Sequence, residues 1–175
     1  INKDKWKSKI MKKLLLLFSI ILLVGCANIK VDNNSHIEEE KEDYLAIKNT
    51  LDTYTDYDNE EEFPCDITFS LDKTSDEELS YRVIIDNPKI DMYNIKALLI
   101  HDYFTEDIFP SIGIFDEPQN LIIGNEEVKG FELVGYIETS KDIDVNLKLY
   151  LEYTDINGNI SDIYYKYNSS EDVNI

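Results

Sequence analysis

An antiparallel β-sandwich is the fold class this sequence predicts, and three observations predict it. Between residues 63 and 167, apolar and polar residues alternate with period two in one segment after another, the pattern of strands with one buried and one wetted face. Turn-forming residues separate those segments. No stretch in the same region carries the three-and-four spacing of an amphipathic helix. About seven strands in roughly 105 residues follow, a count that suits a small sandwich.

Cys65, Ile67, Phe69 and Leu71 alternate with Asp66, Thr68, Ser70 and Asp72. Leu79, Tyr81, Val83 and Ile85 follow with Ser80, Arg82, Ile84 and Asp86 between and after them. Less regular apolar runs occupy residues 94–104, 108–115, 121–123 and 128–139. Val145, Leu147, Leu149, Leu151 and Tyr153 restore strict alternation, and residues 160–167 form a last, Tyr-rich strand. The punctuation is Asp86-Asn87-Pro88, Asp116-Glu117-Pro118, Ile123-Gly124-Asn125 and Ser140-Lys141-Asp142. Asn157-Gly158 is the clearest turn and predicts a tight hairpin, because both residue types tolerate positive φ. Residues 168–175 are left as a C-terminal tail. The strand number and size are immunoglobulin-like. The analogy is architectural, since the chain lacks the cysteine pair and core tryptophan of antibody domains: its two cysteines are Cys26 and Cys65, and its single Trp is Trp6.

The N-terminal third reads differently. Met11 is followed by Lys12 and Lys13, then by an 11-residue apolar run over residues 14–24 broken only by Ser19. Such a run is too short to cross a ~30 Å hydrocarbon core as a helix, which takes about 20 residues. It has the length of a signal-peptide core. It ends on Leu23-Val24-Gly25-Cys26. These four residues resemble the lipobox of bacterial lipoproteins, in position as well as type. The resemblance implies a signal peptide over residues 11–25, cleavage after Gly25, a diacylglycerol thioether on the Cys26 sulfur and acylation of the new amine. It implies a protein held on the extracytoplasmic face of the cell membrane, and it covers only residues 11–26. Residues 1–10 read as an upstream extension, with Met11 the expected start.

Residues 26–62 read as the lipidated cysteine and an acidic tether, marked by Glu38-Glu39-Glu40 and Glu60-Glu61-Glu62. A flexible chain of that length spans on the order of 30–36 Å. Within it, Tyr44, Ile47, Leu51 and Tyr54 recur at spacings of three and four. Residues 38–55 are therefore either a short amphipathic helix or a disordered acidic segment.

Charge narrows the function classes. The chain carries 17 basic and 36 acidic residues; six of the basic and one of the acidic lie before Cys26, which leaves 11 against 35 in the exported part. A body this acidic is repelled by nucleic acid and by anionic headgroups, so no nucleic-acid partner is expected and a covalent lipid has to supply the membrane attachment. Each buried CH₂ contributes about 0.8 kcal/mol, and two acyl chains hold stably where one does not.

Catalytic constellations are not apparent. There is no Gly-x-Ser-x-Gly, no His-Glu-x-x-His and no phosphate-binding glycine loop. His101 shares a strand face with Leu99 and Tyr103 and reads as a half-buried, hydrogen-bonded histidine. Cys65 reads as a buried, inert thiol beside Asp66. Asp155, Asn157, Asn159 and Asp162 are the calcium candidates, but Gly158 falls fourth and Lys166 twelfth where an EF-hand needs Gly sixth and Glu twelfth. Acidic loops at residues 72–78, 102–107 and 126–127 offer oxygen donors if the fold gathers them. Tyr103-Phe104, Phe109-Pro110 and Phe115 are either core or a sticky partner patch. The expectation is a non-enzymatic binding or accessory domain without cofactor, meeting an envelope protein or cell-wall component. The alternatives are an envelope hydrolase using paired carboxylates and a structural or immunity-type envelope protein.

Overall fold

The computed structural model describes residues 33–139 and 143–170. The expected signal peptide with Leu23, Val24, Gly25 and Cys26 lies outside the described residues, as do residues 1–10, the turn at 140–142 and residues 171–175.

Among the described residues, eight strands form two antiparallel sheets. They are β1 (Asp66–Lys73), β2 (Glu78–Asp86), β3 (Met92–His101), β4 (Ser111–Ile112), β5 (Gln119–Leu121), β6 (Gly130–Glu138), β7 (Asn146–Thr154) and β8 (Ile160–Asn168). One sheet has the order β1-β2-β6; the other has β4-β3-β7-β8, with β5 also paired to β3. The all-β sandwich expected from the alternation is thus the fold. The strand number exceeds the expected seven because the apolar runs near 108–115 and 121–123 pair in succession with the long β3, at Ala97 and Leu98 and then at Met92 and Ile95.

The alternating residues meet between the sheets. Tyr81, Val83 and Ile85 of β2 pack against Ile95, Ala97 and Leu99 of β3 and Leu147, Leu149 and Leu151 of β7, all buried. Each such side chain contributes roughly 1.5–3 kcal/mol on burial. β1 is an edge strand, and its Phe69 rests on the tyrosines of β8, stacked 5.1 Å from Tyr167 and tilted 5.3 Å from Tyr165.

A helix covers the other face of the larger sheet. Of the two readings of residues 38–55, the helix is what forms: α1 spans Asn33–Thr53. Tyr44 and Leu51 are buried and Ile47 partly so, against Leu98 and Ile100 of β3, Phe109, Ile114 and Tyr150. The Tyr44 hydroxyl accepts a hydrogen bond from the Phe109 N–H at 3.0 Å. Lys96 reaches Asp43 at 2.7 Å. Beyond the helix, Tyr54 stacks on Tyr164 at 3.9 Å, and Asp58 pairs with the backbone of Tyr164 through two hydrogen bonds of 2.7 and 2.9 Å. An isolated polar helix of this length is marginal in water and gains its stability from tertiary packing. From residue 33 on, the expected tether is therefore a layer of the domain and not a spacer. At the other end the domain runs past residue 167, since Ser169 exchanges hydrogen bonds with Val145.

The β7–β8 hairpin also departs from expectation. Its loop has three residues, Ile156-Asn157-Gly158, closed by Gly158 N–H to Asp155 O at 3.0 Å and Asp155 N–H to Asn159 O at 2.8 Å. Gly158 alone of the loop has positive φ, at 83°, which gives a type I turn with a bulge in place of a two-residue turn. The reason is Asp155, whose carboxylate accepts from the N–H groups of Asn157 and Asn159, both at 2.8 Å, and fixes the wider loop.

Candidate functional site

The antiparallel register decides which loops share an end. His101 pairs with Leu147, and Glu78 with Glu138. These pairs stand at the end of the sandwich that also carries the 102–109 loop. A cleft of about 520 Å³ opens there between that loop and the end of β6. Its carboxylates are Glu78, Glu106, Asp107 and Glu138. Its apolar wall is Phe104, Tyr136 and Ile137, and Thr105 and His101 complete the lining. Among the described residues, no lysine or arginine lines it. Two of the three acidic loops noted in the sequence thus converge here, while Glu126 and Glu127 sit in the β5–β6 loop at the opposite end, next to the Asp86–Gly130 pair.

The aromatic residues around it divide. Phe109 is buried and belongs to the core under α1. Tyr103 is half-buried, its hydroxyl donating to Asp144 O at 2.7 Å. Phe104 is 90% exposed and Tyr136 58%, with Ile108 close by in sequence at 68%. Small domains expose single apolar residues routinely; a phenyl ring held almost wholly in water beside a second exposed ring is the feature that stands out. Tyr136 occupies the wetted face of β6, paired with Ser80.

His101 is deeper than its expected half-burial, at 5% exposed. Tyr81 and Phe109 meet its ring edge-on at 5.1 and 4.9 Å. Its Nδ1 accepts from the Tyr103 N–H at 3.2 Å. Burial holds its pKa below the ordinary value, with Asp102 pulling the other way. The neutral ring therefore carries its proton on Nε2.

The charged groups of a second hollow are engaged with one another. This hollow, of about 490 Å³, lies between α1 and the 113–118 loop, and its two basic residues are occupied: Lys96 by Asp43, and His36 by Glu40 at 3.1 Å. The calcium candidates are not brought together as a site. Asp155 is saturated by the turn, and hydrogen bonds from Asn159 first, then Asn157, lower its pKa. Asp162 faces the Tyr150 hydroxyl at 3.4 Å and its register partner Glu152. No group of three or more His, Cys, Asp or Glu suited to a metal occurs among the described residues. Cys65 is buried, and desolvation raises its thiol pKa to about 12, so it stays protonated at neutral pH.

The residues that sequence reading missed are Tyr136 and Glu138. Their signal was an aromatic side chain on the polar parity of a strand, two residues before a carboxylate. Comparison with known protein families, characterised proteins and solved structures finds no match. Among the described residues, no helix is long and apolar enough to cross a membrane.

Proposed function

We propose that the chain is a membrane-anchored lipoprotein displaying a small, non-enzymatic β-sandwich binding domain on the extracytoplasmic face of the cell membrane. The observation that carries this reading is Leu23-Val24-Gly25-Cys26 at the end of an 11-residue apolar run. Lipid on Cys26 supplies the attachment that an acidic body cannot obtain from anionic headgroups. The binding role is supported by the end cleft. It offers exposed rings and carboxylates to a partner, and no hydrogen bond joins His101 to a hydroxyl or thiol that would serve as nucleophile among the described residues.

A carboxylate-dependent hydrolase is the second reading, and Glu78 opposite Glu138 is the observation that favours it. General acid and base need environments that differ. Both of these carboxylates stand at an open mouth, which weakens the case.

The anchor is tested by Cys26→Ser. The wild-type chain should partition with membranes and take up a labelled fatty acid, while the variant should be shed or left unprocessed. A Cys26→Ser chain that is trimmed and still membrane-bound would overturn the reading. The binding role is tested by cross-linking on intact cells with identification of the captured partner, alongside turnover assays on wall glycans and peptides. Turnover without a partner would replace it with the hydrolase.

A further inference from the structure

The cleft at the 102–109 end combines three features that are seldom satisfied by one ligand. Four carboxylates surround it, and no basic residue lines it among the described residues. Two of them, Glu78 and Glu138, lie directly opposite across the β2–β6 ladder, where like charges disfavour each other, and Glu78 also accepts from the Thr74 hydroxyl at 2.6 Å. Phe104 and Tyr136 are exposed rings that line the same cleft. A cation is attracted by carboxylates and ring faces alike.

The third feature limits what kind of cation. His101 is nineteen-twentieths buried and lines the cleft. Its Nδ1 is used by the Tyr103 N–H, and its Nε2–H, which is not among the buried unpaired atoms of the described residues, opens on the cleft. A donor opening on the cleft can serve an acceptor that a ligand carries. A metal ion or a polyamine brings none. A polypeptide brings a carbonyl at every residue. The volume, about 520 Å³, lies in the range of sites that enclose a small group or short segment and not a domain.

We propose that the cleft binds an extended basic segment of a partner polypeptide, with one Lys or Arg side chain set among Glu78, Glu106, Asp107 and Glu138 against the ring of Phe104. The Nε2–H of His101 donates to a main-chain carbonyl of the same segment. The proposal rests on the binding-domain reading above and gives its partner a chemistry.

The test uses the full chain in neutral detergent and a fluorescent, end-blocked Gly-Arg-Gly-Arg-Gly peptide, followed by anisotropy at low salt. The matched Glu peptide and spermidine serve as comparison probes. Phe104→Ser, which alters an exposed ring, should weaken the arginine peptide about fivefold. Glu106→Gln with Asp107→Asn should weaken it about tenfold, and added salt should reproduce that loss. Glu126→Gln with Glu127→Gln makes the same charge change at the far end and should shift affinity by less than about twofold. The His101 Nε2–H resonance should move on peptide addition and stay in place with spermidine. Three outcomes overturn the proposal: no binding of the arginine peptide, equal weakening by the far-end pair, or a His101 resonance that ignores the peptide. If the arginine peptide fails while cross-linking on cells captures a defined partner, the cleft assignment falls and the binding-domain reading stands. If wall substrates are turned over and no partner is captured, both fall.

Discussion

The two ends of the sandwich are built from similar residues to opposite effect. At the β7–β8 hairpin end, Asp155 collects hydrogen bonds from the main chain and side chains of Asn157 and Asn159. Its oxygens are spent on holding a turn. At the 102–109 end, Glu106, Asp107 and Glu138 line an open cleft next to rings that face water. The Asp/Asn-rich loop with ligand-like spacing is the self-satisfied one. The loop without a motif is the end whose groups are left for something else. Spacing along the chain is thus a poor guide to which carboxylates are available; what the backbone has already claimed is a better one.

The contrast is easiest to break at the satisfied end. Gly113, in the β4–β5 connection on that side, has φ of 69°, and a Cβ there would collide with the Ile95 carbonyl. Gly113→Ala should lower unfolding stability by about 2–4 kcal/mol in denaturant titration. Gly158 has a similar φ with open space around it, so Gly158→Ala should cost about 1 kcal/mol, from backbone strain alone.

At the cleft end, acid should expose His101. Its folded pKa lies below the unfolded 6.5, so the unfolded chain takes up a proton first. The stability that this group supplies is complete above pH 6.5 and is lost as pH falls from there toward the lowered folded value. Thermal melts between neutral and mildly acid pH should show that slope, and His101→Leu should flatten it. The smallest effect is expected from Phe104→Ser, which should leave stability within about 0.5 kcal/mol. A large destabilisation in that variant would mean that the ring is a structural part and that the two ends do not differ as described.

Strand parity was legible because period-two alternation reports directly on which face is dry. Tyr81, Val83, Ile85, Leu147, Leu149 and Leu151 were placed correctly for that reason. β3 was less legible. Ala97 to His101 is a continuous buried run, and periodicity has nothing to report when both faces are covered. The cover is α1, whose Tyr44, Ile47 and Leu51 were visible as a stripe but not as a docked one. The cleft was legible in its 72–78 and 102–107 loops but not in its β6 wall, because Tyr136 and Glu138 reach it from a strand more than thirty residues beyond the second loop.

By itself, then, the sequence determined the sandwich class, the acidic body and the Leu23-Val24-Gly25-Cys26 motif, since each is a local or summed property of the chain. Only the tertiary structure decided that the acidic N-terminal segment closes a layer, that Asp155 is consumed by its own turn, and that carboxylates from β2, β6 and the 102–109 loop converge beside His101. Those are questions of which groups meet across long stretches of chain, and the register of an antiparallel sheet is what answers them.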